Sequence, residues 1–208
     1  MTKGDIPKML DIKTQLQENL DNNFKCGAYS LQAVLAHYGV EKSIDSIWSE
    51  IATQRSGKIE RNATTDKLAK YSNSCGVSAT IYKSKDILRT LDILEELGKT
   101  AILVVAHKKP GDPVGHFIVY KGRKDGDYIF ADPEKMKDRR MTPLQARDFC
   151  KETGAEVRGN IFVSFGEMDA EYECEFCGHS YPLVNIDTLR DSVSGSICCH
   201  CNRGKAWQ

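Results

Sequence analysis

The sequence predicts an α+β fold in which N-terminal helices pack on an antiparallel sheet. Two observations carry this. Helical apolar periods dominate the first half of the chain, and short β-type runs broken by Gly and Pro dominate residues 101–165. A third observation, two matched Cys-x-x-Cys pairs near the C-terminus, adds a small metal-bearing unit to that fold.

The first helix is predicted from Cys26. Leu31, Val34, Leu35 and Tyr38 fall at i, i+3, i+4 and i+7, one apolar face, and Gly39 is a stop signal. Ser43 or its neighbour can cap a second helix with Ile44, Ile47, Trp48 and Ile51 on one side. A third starts at Thr64 or Thr65, carries Leu68 and Tyr71, and ends at Cys75-Gly76. Val77 to Tyr82 reads as a strand. Ser84 is placed to cap a fourth helix, with Ile87, Leu88, Leu91 and Leu94 inward and Gly98 behind it.

Then the period changes. Ala101–Ala106 reads as a buried strand, Lys108–Gly115 as a loop and His116–Tyr120 as a second strand. A turn over Gly122–Gly126 leads to a third strand, Tyr128–Ala131, so the pair forms a hairpin. Thr142-Pro143-Leu144-Gln145 fits a capping box, opening a helix that runs to about Gly154. Ile161–Phe165 is the last strand of this part.

The totals bound the function. The chain has 208 residues, 40% hydrophobic and 28% charged, and its formal net charge is zero. Zero net charge implies no general attraction to nucleic acid or membranes. The sequence contains no bilayer-length apolar run and no apolar core of a signal peptide, so a cytoplasmic location is expected. In that compartment the eight cysteines are expected to be reduced, metal-bound or catalytic.

Cys26 sits where its helix begins. Backbone N–H groups and the positive end of the helix dipole there favour a thiolate, which is how a nucleophilic cysteine is made. Taken alone, a cysteine such as Cys26 is more commonly a buried structural one. A nucleophile needs a base and a group to hold that base. His37 lies about three turns along the same helix and cannot fold back. His179 and His200 lie among the C-terminal cysteines. His107 closes a strand and enters a loop, whereas His116 opens a strand after a Gly/Pro-rich loop, at the rim of the sheet. Sixteen residues later, a hairpin of that length is expected to return Asp132 to the neighbourhood of His116. Alone, His116 reads as a buried strand histidine and Asp132-Pro133 as a turn. Together with a helix-start cysteine they read as nucleophile, base and orienter.

The motifs Cys-Gly-x-x-Ser-Leu-x-x-Val-Leu-x-x-Tyr-Gly (Cys26 to Gly39), Gly-His-Phe-Ile-Val-Tyr (Gly115 to Tyr120) and Ala-Asp-Pro (Ala131 to Pro133) resemble the bacteriocin-processing cysteine peptidases. These are papain-like domains that cut double-glycine leader peptides. The similarity covers roughly residues 10–165. It implies a papain-like fold, Cys26 as nucleophile, His116 as base and Asp132 as its orienter. Such enzymes also carry a glutamine six residues before the cysteine that helps to bind the oxyanion. Here that position is Leu20. Gln17, nine residues before Cys26, is the candidate replacement, with Gln15, Asn22 or no side-chain donor as alternatives.

The tail is different in kind. From Glu167 onward seven acidic residues face three basic ones. Residues 167–175 alternate acidic and other side chains, the pattern of a strand with one acidic face. Cys174-x-x-Cys177-Gly178 and Cys198-x-x-Cys201 supply four thiolates for tetrahedral, structural zinc. Cys199, His200 or His179 could replace a ligand, but the two matched pairs are the simplest set. The module resembles a zinc ribbon. Its acidic face argues against nucleic acid and for a protein contact, such as substrate docking or dimerisation. The expected organisation is a peptidase domain over residues 1–166 and a ribbon-like module over residues 167–208. The expected function is a cysteine peptidase acting on a peptide or protein after small residues such as Gly-Gly. The alternatives are a papain-like amidase, isopeptidase or acyltransferase, or a catalytically silent peptide-binding module.

Overall fold

The computed structural model describes residues 9–16, 23–54, 61–107, 114–135, 137–151 and 159–207. The chain enters through a short strand, β1 (Asn23–Phe24), and goes straight into helix α1 (Cys26–His37). Leu31, Val34 and Leu35 are buried on the predicted face, and Tyr38 caps the end with its hydroxyl donating to the Phe165 carbonyl at 3.0 Å. Gly39 takes φ +79, a left-handed exit that a side chain would strain. Helix α2 (Ile44–Ile51) has the predicted Ser43 cap, whose Oγ accepts from the Ser46 amide at 3.2 Å. Two short strands follow, β2 (Thr53–Gln54) and β3 (Arg61–Asn62), and with β1 they make a small sheet ordered β1-β3-β2. Helix α3 (Thr65–Ser74) starts after Thr64, and Cys75 caps its C-terminus.

The sheet then builds up. Strand β4 (Ala79–Ser84) lies two residues later than its predicted span. Ser84 therefore belongs to a strand and does not cap helix α4 (Ile87–Glu96). Asp86 does, its Oδ1 accepting from the amides of Leu88 and Arg89 at 3.1 and 3.2 Å. Ser84 instead hydrogen-bonds Thr90 inside the fold, Oγ to Oγ1 at 2.8 Å. Strand β5 (Ala101–His107) pairs antiparallel with β6 (Val114–Lys124), which pairs with β7 (Asp127–Ala131) and that with β8 (Arg139–Met141). Strand β6 begins two residues before His116, so Val114 and Gly115 are ladder residues facing His107 and Ala106. The hairpin turn is Asp125-Gly126, shorter than predicted, because Gly122 to Lys124 continue the ladder past a bulge at Lys121. Helix α5 (Pro143–Lys151) has the predicted capping box. The Thr142 amide donates to Gln145 Oε1 at 3.0 Å. Its predicted end near Gly154 lies outside the described residues. Strand β9 (Ile161–Phe165) spans the predicted residues.

Past β9 the chain forms a hairpin, β10 (Met168–Glu173) with β11 (Ser180–Val184), then a single helical turn, α6 (Ile186–Leu189). Strands β12 (Val193–Ile197) and β13 (Gly204–Ala206) rejoin the large sheet. That sheet has eight strands in the order β13-β12-β4-β9-β5-β6-β7-β8. Helices α1 to α3 cover one face. Helices α4 and α5, with the β10–β11 hairpin and α6, cover the other. One apolar cluster runs from Ile12 through the sheet to Tyr181, Leu183, Ile186 and Val193. The tail thus shares the main core, and its docking is hydrogen-bonded. Thr80 Oγ1 donates to the Pro182 carbonyl at 2.6 Å and accepts from the Val184 amide at 2.9 Å, and the Tyr82 hydroxyl donates to the Val184 carbonyl at 2.9 Å. No described helix is long and apolar enough to cross a membrane.

Candidate active site

Three elements converge at one end of the sheet. Cys26 is the first residue of α1, where helix amides have no intrahelical acceptor. It is held there by tight packing behind it. A Cβ on Gly27 would lie 2.7 Å from Ala63 Cβ and 3.2 Å from Phe117 Cδ2, so only glycine lets the first turn of α1 press onto β6 and the start of α3. Ser30 adds a tether, its hydroxyl donating to the Phe117 carbonyl at 3.1 Å.

His116 lies next to Phe117 on β6, and Asp132 follows the last residue of β7. The ladder pairs Val119 with Ala131, so Asp132 comes back level with Ile118 and within reach of His116. His116 Nε2 donates to Asp132 Oδ1 at 2.7 Å. That leaves Nδ1 for Cys26, with which His116 also hydrogen-bonds. All three are enclosed: Cys26 is 5% exposed, His116 2% and Asp132 1%. Burial alone would disfavour charge on His116. The hydrogen bonds to Asp132 and Cys26 and the charge of Asp132 outweigh burial, and the imidazole is pushed up to about 10. Burial would also raise the Asp132 carboxyl. The His116 hydrogen bond and charge, Arg139 and the Glu134 amide hold it well below the usual carboxylate range. The pair is thus ionised at neutral pH, with the proton on His116.

The structure therefore brings Cys26, His116 and Asp132 together. Gln17 and Asn22 lie outside the described residues, and Gln15 is exposed in an irregular segment. His37 is exposed at the far end of α1. Arg139 was missed by sequence reasoning. Its guanidinium grips the second oxygen of Asp132 from a three-residue strand too short to leave a pattern.

A second cluster lies in the tail. The sulfurs of Cys174, Cys177, Cys198 and Cys201 all lie within 4.8 Å of one another, with Cys174 to Cys201 at 3.6 Å and Cys177 to Cys198 at 3.8 Å. Tetrahedral thiolates about 2.3 Å from a zinc ion stand about 3.8 Å apart, so the four could hold such an ion. The two knuckles match. Gly178 after Cys177 has φ +70, and Asn202 after Cys201 has φ +55, both left-handed. The sequence signal for the second was available, since asparagine tolerates that region best after glycine. Cys199 is buried beside Asn73, while His179 and His200 stack on each other at 4.3 Å on the surface; none of the three joins the cluster. The cluster is remote from Cys26. Strand β12 lies four strand positions from β6, about 19 Å across the sheet. Cys198 also follows the end of β12 away from the Cys26–His116 side, since Val193 pairs with Ser84 and Ile197 with Ile81.

A model of the Peptidase C39 family matches residues 13–151. The chain belongs to this family. The match contains α1, β6, β7 and Asp132, and stops at the end of α5. No curated protein matches the sequence. Solved structures similar to this C39 chain share its fold at low identity. The peptidase domain of Streptococcus ComA, a bifunctional ABC transporter, is 19% identical with a TM-score of 0.55, covering 74% of this chain and 97% of that one. A double-glycine motif protease from an AMS/PCAT transporter, solved with its leader peptide, is 18% identical with a TM-score of 0.54, covering 76% and 92%. A C39-like peptidase from Bacillus anthracis is 14% identical with a TM-score of 0.57, covering 76% and 96%. The papain-like α+β fold expected from the sequence is the one found.

Proposed function

We propose that this C39 chain is a cysteine peptidase in which Cys26 is the nucleophile, His116 the general base and acid, and Asp132 its orienter. The observation that carries the proposal is the enclosed His116–Asp132 hydrogen bond of 2.7 Å beside a helix-start cysteine. Cys26 Sγ attacks the scissile carbonyl carbon. His116 gives its proton to the leaving amine as the C–N bond breaks, leaving a thioester. Water then attacks the thioester, His116 takes its proton, and the acid product leaves with Cys26 restored. The Cys26 amide faces the developing oxyanion, and we assign the side-chain donor to Gln17.

The substrate we assign is a peptide cut after Gly-Gly. Cys26 is only 5% exposed, and residues without a Cβ reach so enclosed a position most readily. The structural likeness to a double-glycine motif protease holding a leader peptide agrees with this. We assign residues 1–166 to the peptidase domain and residues 167–208 to the ribbon-like module. Zinc is the metal we assign to Cys174, Cys177, Cys198 and Cys201, where it would tie the two knuckles together; it takes no part in the chemistry.

The test is cleavage of a peptide library by the purified chain, read by mass spectrometry, beside iodoacetamide labelling of Cys26 across pH. Cutting after Gly-Gly that Cys26→Ala abolishes is the expected result. Turnover of a small amide with no peptide cut would replace the peptidase by an amidase. A Cys26 that labels no faster than a free thiol would leave only peptide binding.

A further inference from the structure

Asp132 uses its two oxygens in different directions. Oδ1 accepts from His116 Nε2 at 2.7 Å and from the Glu134 amide at 3.0 Å. Oδ2 accepts from Arg139 Nε at 3.0 Å and from Arg139 Nη2 at 2.5 Å. An ionised carboxylate offers about four lone-pair sites, so this one is saturated. Without the Arg139 fork the carboxylate would be held through Oδ1 alone, by the His116 ring and the Glu134 amide, and its plane could rotate.

The fork arrives already placed. Strand β8 pairs Arg139 directly with Phe130, two residues before Asp132. The guanidinium lies over the Phe149 ring of α5 at 5.1 Å. The neighbouring Asp138 is held by the buried Lys121, Nζ to Oδ2 at 2.7 Å. A planar donor pair fixed on both sides loses little freedom when it binds a carboxylate.

We propose that Arg139 is a positioning residue for the peptidase, fixing the plane of Asp132 so that Oδ1 stays aimed at His116 Nε2. The proposal rests on the reading of Cys26, His116 and Asp132 as the catalytic set. Arg139 does not act by making His116 more basic. Its positive charge opposes the imidazolium, so what it gives is geometry and a permanently ionised Asp132. Among the described residues, the charged groups near the set are Lys25, ion-paired with Asp45, Glu134 beside Asp132, and the Lys121–Asp138 pair.

Arg139→Gln and Arg139→Lys, each compared with wild type, test it. Arg139→Gln removes both fork and charge. We expect kcat to fall on the order of 10- to 100-fold with KM little changed, since a misaimed base slows the chemical step. Losing a cation also raises the pKa of every nearby acid, so both limbs of the kcat/KM profile move to higher pH by on the order of 1 pH unit. Arg139→Lys keeps the charge and loses the fork. Its limbs stay in place while kcat recovers only in part. If Arg139→Gln does not fold, that split in Arg139→Lys still decides the matter. Wild-type kcat and unmoved limbs in both variants would overturn the proposal, as would a fall in kcat that merely tracks a lower Tm. Failure of the catalytic reading shows separately: wild-type Cys26 would then label no faster than a free thiol, and the role of Arg139 would fall with it.

Discussion

His116 and Asp132 stand sixteen residues apart in sequence and 2.7 Å apart in space, joined by one hairpin and both buried. Their bond has a sign that pH can read. His116 gains its partners on folding and its pKa rises to about 10, so the stabilisation is whole below the unfolded value of about 6.5. It is lost as pH climbs through the folded value. The wild-type Tm should therefore fall between about pH 6.5 and 10, where the native state holds the extra proton. His116→Gln should remove most of that slope. Thermal scans at several pH values check it, and an equally steep slope in His116→Gln would refute the assignment of the proton to His116.

Gly27 offers a second test, because it links packing to chemistry. An added methyl at Gly27 meets Ala63 and Phe117 too closely for both to stay where they are. Gly27→Ala should cost about 1–3 kcal/mol, the usual penalty for overpacking. It should also slow the labelling of Cys26, because α1 has to lift its first turn off β6. Urea unfolding and labelling rates measure the two effects. A variant of wild-type stability and reactivity would show that this contact yields freely.

The grouping of Cys26, His116 and Asp132 was legible because its geometry is local. A helix start places Cys26, and the length of one hairpin returns Asp132 to His116, and both can be counted along the chain. Ser84 was misread for the same reason. As a local signal it is a good cap, but strand pairing carries β4 through Ser84, and Asp86 takes over two residues later. The docking of β12 on β4 could not be read at all. Those strands are more than a hundred residues apart, and nothing in either names its partner. Arg139 was hidden in another way. One of two adjacent arginines, seven residues after Asp132, looks like any surface charge until β8 turns it inward.

Thr80 tests that long-range docking. Thr80 is 1% exposed, and its hydroxyl serves both the Pro182 carbonyl and the Val184 amide. Thr80→Val keeps the shape and strands both groups, at roughly 1–3 kcal/mol for each buried group left unpaired. The variant should lose about that much in urea unfolding while cutting peptides at the wild-type rate under native conditions, since Thr80 is far from Cys26. Unchanged stability would mean that the tail does not depend on this junction.

Metal removal separates the two halves of the chain most sharply. The four sulfurs lie within 4.8 Å of one another, and without an ion between them mutual repulsion of thiolates would loosen the knuckles. The tail they close also roofs Tyr82 and extends the sheet through β12. Treatment with a strong chelator, or Cys177→Ser, should therefore lower Tm substantially and speed amide exchange first in β12 and β13. Elemental analysis should find one zinc per chain before treatment. Peptide cleavage should survive for as long as the fold does, because the cluster lies about four strand spacings, roughly 19 Å, from β6. Immediate loss of cleavage while Tm and exchange are unchanged would contradict a purely structural metal. A metal-free protein as stable as the loaded one would show that the four cysteines hold no ion that matters to folding.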